Sequence, residues 1–300
     1  MKRLPTSSVE CNRWHPPAAI RVSIGLHVIA ALAAVMAATG WIADGAEAPW
    51  TSAVLAAAIG TIVANHLVLT AAGLCPRCSL IGRNITRIPI RQGETAVVAI
   101  TVDDGPDPEV TPAVLDLLRA HGAHASFFLV AERAERHPDL VARIVAEGHS
   151  VENHTHAHSH AFSFSGTARL SREIARAQAS LARLAGEPPR FFRAPAGLRN
   201  PLLAPVLCRL GLPLTSWTRR GFDTVTADPD RVLRRLAGER GRLLAAGDIL
   251  LLHDGNAARA RDGTPVILSV LPRLLVACRE RGLQPASLRE AFRERPDPCR

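Results

Sequence analysis

Hydrophobic and polar positions fall into two regimes along this chain. Before residue 80 the apolar residues run on with little interruption: Val22 to Ala43 carries no formal charge over 22 residues, and Ser52 to Leu74 carries none over 23. Each run reaches the roughly 20 residues that a helix needs to cross the hydrocarbon of a bilayer. His27, Asn65 and His66 interrupt them, so an alanine-rich helical hairpin buried in protein is the competing expectation. A cleavable signal peptide fits less well, because the first run starts late, is long, and is followed by another of similar length.

After a polar stretch from Arg83 to Arg91, short apolar runs alternate with amphipathic ones. Strands are predicted at Val97 to Val102, Ala125 to Val130, His149 to Asn153, Phe191 to Arg193, Leu212 to Trp217, Asp248 to Leu252 and Leu283 to Ser287. Helices are predicted at Pro112 to His121, Pro138 to Glu147, Ala168 to Leu184, Asn200 to Leu210, Asp228 to Arg242 and Pro265 to Arg281. In the third of these, Leu170, Ile174, Ala177, Leu181 and Leu184 recur at spacings of three or four, an apolar stripe with arginines opposite. Such alternation predicts a single α/β layer fold, open or closed into a barrel.

Composition adds a strong bias. Of 36 basic residues only Lys2 is a lysine, and the formal net charge is +9. A basic surface favours anionic partners, but there is no aromatic-interleaved basic groove and no zinc-finger spacing, so no nucleic-acid partner is expected. The basic residues also flank the apolar runs. Lys2, Arg3, Arg13 and Arg21 precede the first, Arg77, Arg83, Arg87 and Arg91 follow the second, and the connection between them has only Asp44 and Glu47. The positive-inside rule then places the connection outside and everything after residue 80 on the cytosolic face of the inner membrane. Six cysteines are scattered without the look of a disulfide framework. Cys75 and Cys78 form a CPRC pair, read as thiols beside the membrane, without a function or lipidated.

The polar residues with chemical capacity gather after the strands. Asp103 and Asp104 follow the first, His154 and His158 the third, Arg193 the fourth, Asp223 the fifth, and His253 the sixth. In a parallel α/β fold those strand ends form one rim, where ligands bind. The stretch Gly148 to His160 has five histidines in thirteen residues. Imidazoles at i and i+4, expected on one side of a helical turn, make with a nearby carboxylate a two-His, one-carboxylate set that leaves positions open for water. His149, His156 and His160 are expected around it rather than in it. Each residue alone has a plainer reading, as a turn or a solvated loop; their convergence favours a catalytic metal site.

The segments TVDDGP (Thr101 to Pro106), HTHAH (His154 to His158), RAPAG (Arg193 to Gly197), WTRRGFDT (Trp217 to Thr224) and ILLLH (Ile249 to His253) resemble, in order and spacing, the five motifs of the polysaccharide deacetylases, the carbohydrate esterases that include chitooligosaccharide deacetylases. The resemblance runs from about Val97 to Leu288. Outside it, the chain divides into a membrane region at 1–82 with the pair of hydrophobic helices, a connector at 83–96 and a tail at 291–300. The resemblance implies a distorted (β/α) barrel for the catalytic domain at 97–290. It also implies metal-dependent hydrolysis of a linear amide on an amino sugar. Carried over residue by residue, Asp103 is the general base, Asp104, His154 and His158 hold a divalent metal, Arg193 orients Asp103, and His253 protonates the leaving amine with Asp223 orienting it. The backbone N–H of Ala196 serves the oxyanion and Trp217 walls the acetyl pocket. Zinc is the expected ion, with cobalt, manganese, nickel and iron(II) also compatible.

Departures from the family pattern bear on the substrate. Val102 replaces a usual phenylalanine, Ala196 a usual aromatic that walls the sugar cleft, and RRGFD a usual aspartate-and-tryptophan cluster. A cytosolic catalytic domain near the bilayer implies a sugar on a lipid carrier or glycolipid, with acetyl or formyl as the group removed. The alternatives are a periplasmic deacetylase of cell-wall or extracellular polysaccharide, and a membrane-anchored carbohydrate-binding protein without chemistry. The sequence gives no oligomeric state.

Overall fold

The computed structural model describes residues 15–44, 49–238 and 243–293. Lys2, Arg3, Cys11, Arg13, Glu47 and Cys299 lie outside them, as do residues 239–242 of a predicted helix and 294–300 of the tail.

Two long helices come first, α1 (Ala18–Asp44) and α2 (Pro49–Leu74). Both begin earlier than the uncharged runs. The first starts directly after Pro16-Pro17, and the second has Pro49 as its first residue, where a missing N–H costs no helical hydrogen bond. Ile29 and Leu67 are each 64% exposed, so the pair presents its apolar surface outward instead of being enclosed by protein. Their stretches Ala18–Thr39 and Trp50–Leu74 have mean hydropathies of 2.0 and 1.9, and both are long and apolar enough to cross a bilayer. The polar interruptions meet one another. Asn65 Nδ2 donates to Ser23 Oγ at 2.8 Å, and the His27 and His66 rings pack edge to face at 5.1 Å.

Strands and helices then alternate: β1 (Val97–Asp103), α3 (Thr111–Ala120), β2 (Ser126–Leu129), α4 (Ala131–Arg136), α5 (Pro138–Ala146), β3 (Ser150–Asn153), α6 (Thr167–Ala185), α7 (Leu203–Leu210), β4 (Arg219–Arg220), α8 (Pro229–Ala237), β5 (Ile249–His253), α9 (Val266–Glu280), β6 (Gln284–Ala286) and α10 (Leu288–Ala291). The helices obey local rules. The stripe of α6 is buried at Leu170, Ile174, Ala177 and Leu181, and the helix stops where Gly186 takes φ 76°. Asp228 caps α8 by accepting from Asp230 N and Arg231 N, and Gly238, at φ 97°, ends it before the predicted limit at Arg242. Ser287 and Glu290 form a capping box on α10.

Every strand pairing is parallel, in the order β3-β2-β1-β5-β4, with β6 beside the start of β1. The predicted strands at Phe191 to Arg193 and Leu212 to Trp217 shrink to isolated bridges, Asn153 with Phe192 and Phe192 with Leu214. Pro189, Pro195 and Pro213 flank them and lack the N–H that a longer ladder requires. These bridges nevertheless close the sheet. Arg193 N donates to Asn153 O at 3.0 Å, Phe192 N to Pro213 O at 3.0 Å, and Thr218 N to Ile249 O at 2.9 Å, so the chain from Leu214 into β4 joins β3 to β5. The result is a (β/α) barrel with one weak seam.

The pleat of β1 sorts its residues. Val98, Ile100 and Val102 join Leu250, Leu252 and the inner faces of α3 and α9 in one core, while Val97 and Ala99 join Phe128, Trp217 and Leu251 in the barrel. Thr101 and Asp103 share the inward phase. The stretch between α2 and β1 is packed in as well. Ile85 bridges Thr215, Ile88 is 1% exposed with its N–H on Gly247 O at 2.8 Å, and Arg87 pairs with Asp248 at 2.9 Å.

Candidate active site

Arg193 fills the barrel interior. Its Nη1 donates to Asp103 Oδ1 at 2.5 Å and to Thr101 Oγ1 at 2.9 Å, Nη2 to Ser216 O at 2.9 Å, and Nε to Thr215 O at 3.1 Å. Its guanidinium carbon lies 4.0 Å from the centroid of the Phe128 ring. One oxygen of Asp103 is thereby fixed, and the other lies 3.9 Å from His154 Nε2.

Asp104 follows with φ 73°, and this left-handed turn sends the second carboxylate away from the first. Its Oδ1 is 3.2 Å from His154 Nε2 and 3.0 Å from His158 Nε2. Its Oδ2 accepts from Asn256 Nδ2 at 3.0 Å, and its carbonyl accepts from Arg133 Nη1 at 2.7 Å. His154 Nδ1 stands 2.9 Å from Arg193 O. A proton on Nδ1 satisfies that carbonyl and leaves Nε2 with a free lone pair, the arrangement by which a neighbouring carbonyl fixes a ligating histidine. Burial works against ionisation of Asp104, but the two imidazoles outweigh it and hold its carboxyl far below the usual carboxylate range.

The two histidines do not sit on a helical turn as expected. Residues 154–159 form an irregular bend in which Thr155 and His158 take φ 68° and 49°. The bend, anchored by Asn153 Oδ1 accepting from Thr155 N at 3.0 Å, brings the rings to 4.9 Å between centroids. One atom from each of Asp104, His154 and His158 lies within 4.8 Å of the others. A tetrahedral ion with bonds of about 2.0–2.2 Å sets its ligand atoms roughly 3.3 Å apart, so the Asp104 contacts to both histidines match a divalent cation.

His253 ends β5 and lies in register beside Asp103. Asp223, fully buried, stands 2.8 Å from its Nδ1 and accepts its backbone N–H at 2.7 Å. Burial alone would push this imidazole down. Asp223 overcomes it, Asp103 and Asp104 add to the effect, and the pKa is raised to about 9. His253 is therefore a cation at neutral pH.

A cavity of about 530 Å³ is lined by Asp103, Asp104, His154, His158, Ala196, Trp217 and His253 among others. Arg193 and Asp223 stand behind Asp103 and His253, so the structure brings all nine sequence-predicted site residues together. Ala196 is exposed, with φ 53°. Gly197 is wedged: a Cβ there would lie 2.6 Å from Trp217 Cη2 and 2.7 Å from Pro76 Cβ. The other histidines take separate parts. His149 packs 5.5 Å from the Phe127 ring, and burial pushes it down to about 4. His156 is buried 3.5 Å from Glu135, and His160 lines the cavity from its exposed edge. Asn256, Arg133, Thr101 and Arg220 were not singled out from the sequence, because their parts depend on contacts with no local signature.

Similarity to known proteins agrees with this geometry. The sequence pattern described as Polysaccharide deacetylase matches residues 91–215. A peptidoglycan-N-acetylglucosamine deacetylase of Bacillus cereus is 33% identical over 59% of this chain and 81% of its own length. A chitooligosaccharide deacetylase of Azorhizobium caulinodans is 32% identical over 65% of this chain and 95% of its own. The chain belongs to the polysaccharide deacetylase family. A family 4 carbohydrate esterase from Streptomyces lividans, solved in complex with acetate, is 30% identical and superimposes on the deacetylase with a TM-score of 0.56 over 63% of this chain and 91% of that one. The cavity of the deacetylase, with its two-histidine, one-carboxylate cluster, suits the hydrolysis of a carbohydrate amide by a metal-dependent route.

Proposed function

We propose that this deacetylase removes an acetyl group, or less readily a formyl group, from the amino nitrogen of a sugar carried on a lipid at the membrane. The supporting observation is the path of the chain just after α2. Two residues past its last turn, Pro76 lies against Gly197, which lines the cavity together with Trp217, and Ser216 Oγ donates to Pro76 O at 2.6 Å. An apolar helix able to cross a bilayer thus ends beside the catalytic cleft. A sugar on a lipid carrier reaches such a cleft without leaving the surface.

In this reading Asp104, His154 and His158 hold a divalent ion, with zinc preferred. The bound ion supplies Lewis-acid polarisation of the amide carbonyl and a lower pKa for water. Asp103, held by Arg193 through Oδ1, takes the proton of the attacking water. The backbone N–H of Ala196 stabilises the oxyanion as the carbonyl becomes tetrahedral. His253, charged and oriented by Asp223, gives its proton to the departing amine, as a general acid must when an amine is a poor leaving group. Trp217 walls the acetyl pocket.

A second reading is favoured by the names of the relatives, which act on peptidoglycan and chitooligosaccharides: the same chemistry on a cell-wall or extracellular polymer, with the catalytic part on the exported side. The experiment that separates them measures acetate release by the detergent-purified protein from lipid-linked and polymeric N-acetylhexosamines, with chelator and with added zinc. Metal-dependent release from a lipid-linked sugar is expected. Activity on chitin or peptidoglycan with none on any lipid-linked sugar would overturn the first reading and support the second, and a reporter fused after Arg300 would place the catalytic side.

A further inference from the structure

Arg133, Arg136 and Arg220 line the cavity and Arg193 stands behind it, and all but one of these four have oxygen partners. Arg193 is held by Asp103, Thr101, Thr215 and Ser216, Arg133 donates to Asp104 O and Asn256 Oδ1, and Arg136 Nε donates to Glu132 O. Arg220 differs. Among the described residues its side chain makes no hydrogen bond and no ion pair, and its Nε is shut away from solvent without an acceptor. Its strand neighbour Arg219 pairs with Asp248 at 2.7 Å on the opposite face, as β alternation requires, which leaves Arg220 directed into the cavity.

The unpaired guanidinium is nonetheless braced. Its central carbon lies 5.4 Å from the Trp217 ring centroid and 4.9 Å from that of Phe222. Phe222 is in turn held in the left-handed region at φ 61°, with Arg235 stacked 5.1 Å from the same ring and bonded to Gly221 O and Thr226 Oγ1. Aromatic faces attract the cation and hold its plane but leave the in-plane N–H groups without acceptors. Only Nε is shut away; the residue is half-buried, and the Nη groups stay open to the cavity, where a bidentate oxyanion can take them up.

We infer that Arg220 is the subsite for an oxyanion carried by the amino-sugar substrate, a phosphate or pyrophosphate on the same sugar that presents its acetamide to the Asp104, His154 and His158 cluster. The inference rests on the deacetylase reading and narrows it to anionic sugars. A carboxylate-bearing sugar offers related oxyanion chemistry, and the test separates it from phosphate.

The full chain in detergent, loaded with zinc, is assayed for acetate release from N-acetylglucosamine 1-phosphate, N-acetylmuramic acid and neutral N-acetylchitobiose, as wild type, Arg220→Gln and Arg220→Lys. In Arg220→Gln the KM for the phosphate sugar should rise, relative to that for the neutral one, by roughly ten- to hundredfold, the range for a lost charge-assisted hydrogen bond. Arg220→Lys should recover part of that ratio. If the ratio moves for N-acetylmuramic acid and not for the phosphate sugar, the phosphate assignment is wrong; equal changes on all three substrates overturn the subsite. Binding of inorganic pyrophosphate to chelator-treated protein, followed by calorimetry, gives a readout independent of turnover. Wild type should bind at least about tenfold more tightly than Arg220→Gln, and equal binding refutes the inference. Anion binding that depends on Arg220 in a protein releasing no acetate from any substrate would uphold the subsite and overturn the deacetylase reading instead.

Discussion

Asp223→Asn removes a carboxylate 2.8 Å from His253 Nδ1 and leaves the burial of the ring in place. Asp103 and Asp104 also help to raise that imidazole, but an ion on Asp104 offsets their share, whereas the Asp223 contact is untouched by it. At the pKa of about 9 that applies without an ion, His253 is about nine-tenths protonated at pH 8, which sets the upper bound for the loaded protein. With Asn beside it that support is gone, and at the ordinary imidazole value of about 6.5 about 3% is left in the acid form at pH 8. If His253 gives its proton to the leaving amine, kcat should drop by up to about thirtyfold at pH 8 and less than about twofold at pH 6 from protonation alone. Loss of ring orientation adds a factor independent of pH. Acetate release by zinc-saturated protein from pH 6 to about 9 checks this, and the ratio of variant to wild type is diagnostic. A flat ratio across the range would refute the assignment of His253 as the acid. Stability carries the same signature. The folded pKa is raised above the unfolded one, so the pair stabilises the fold fully below about 6.5 and loses that contribution as the pH climbs through about 9; the variant's deficit in urea denaturation should therefore narrow at high pH.

Asp103→Asn should retain the metal while losing nearly all turnover, whereas His154→Ala should lose both; equal metal loss by elemental analysis would refute that division of labour. Arg193→Met leaves the Asp103 carboxylate buried and unpaired, a cost of about 3–5 kcal/mol in urea unfolding, and a loss below about 1 kcal/mol would mean that Asp103 finds another partner. Gly197→Val combines φ 73° with a collision against Trp217 and Pro76. It should cost about 2 kcal/mol or more and raise KM, measured by thermal melting and steady-state kinetics.

The placement of Asp103, Asp104, His154, His158, Arg193, Asp223 and His253 was legible because apolar runs such as Ile249 to Leu252 end abruptly in polar residues, and parallel strands put such ends on one rim. The bend at His154 to His158 was not. Its spacing of four suits a helix, and only the positive φ of Thr155 and His158, stabilised by the Asn153 side chain, turns it into a loop. The bridges at Phe192 and Leu214 looked like full strands because apolar composition is visible in a sequence, whereas the ladder lost to nearby prolines follows only from the pairing. The two-residue β4 and the short α4 and α10 fall below the length at which periodicity gives a signal. Asn256 and Arg133 carried no warning, since their contacts with Asp104 join segments far apart in the chain.

The turn from Gly73 to Ser79 also decides how separable this protein is. Arg199 donates from its backbone to Gly73 O at 3.1 Å and from its guanidinium to Cys78 O at 2.6 Å, while Pro76 fills the space beside Gly197. Ile85 and Ile88 continue the attachment into the barrel core. The apolar helices and the barrel are therefore joined by a packed turn and not by a free linker. Trimming the chain to the family-like portion would remove the Pro76 packing beside Gly197 and the Ile85 bridge at the barrel seam, so the segment before β1 is part of the folded unit rather than a detachable stalk.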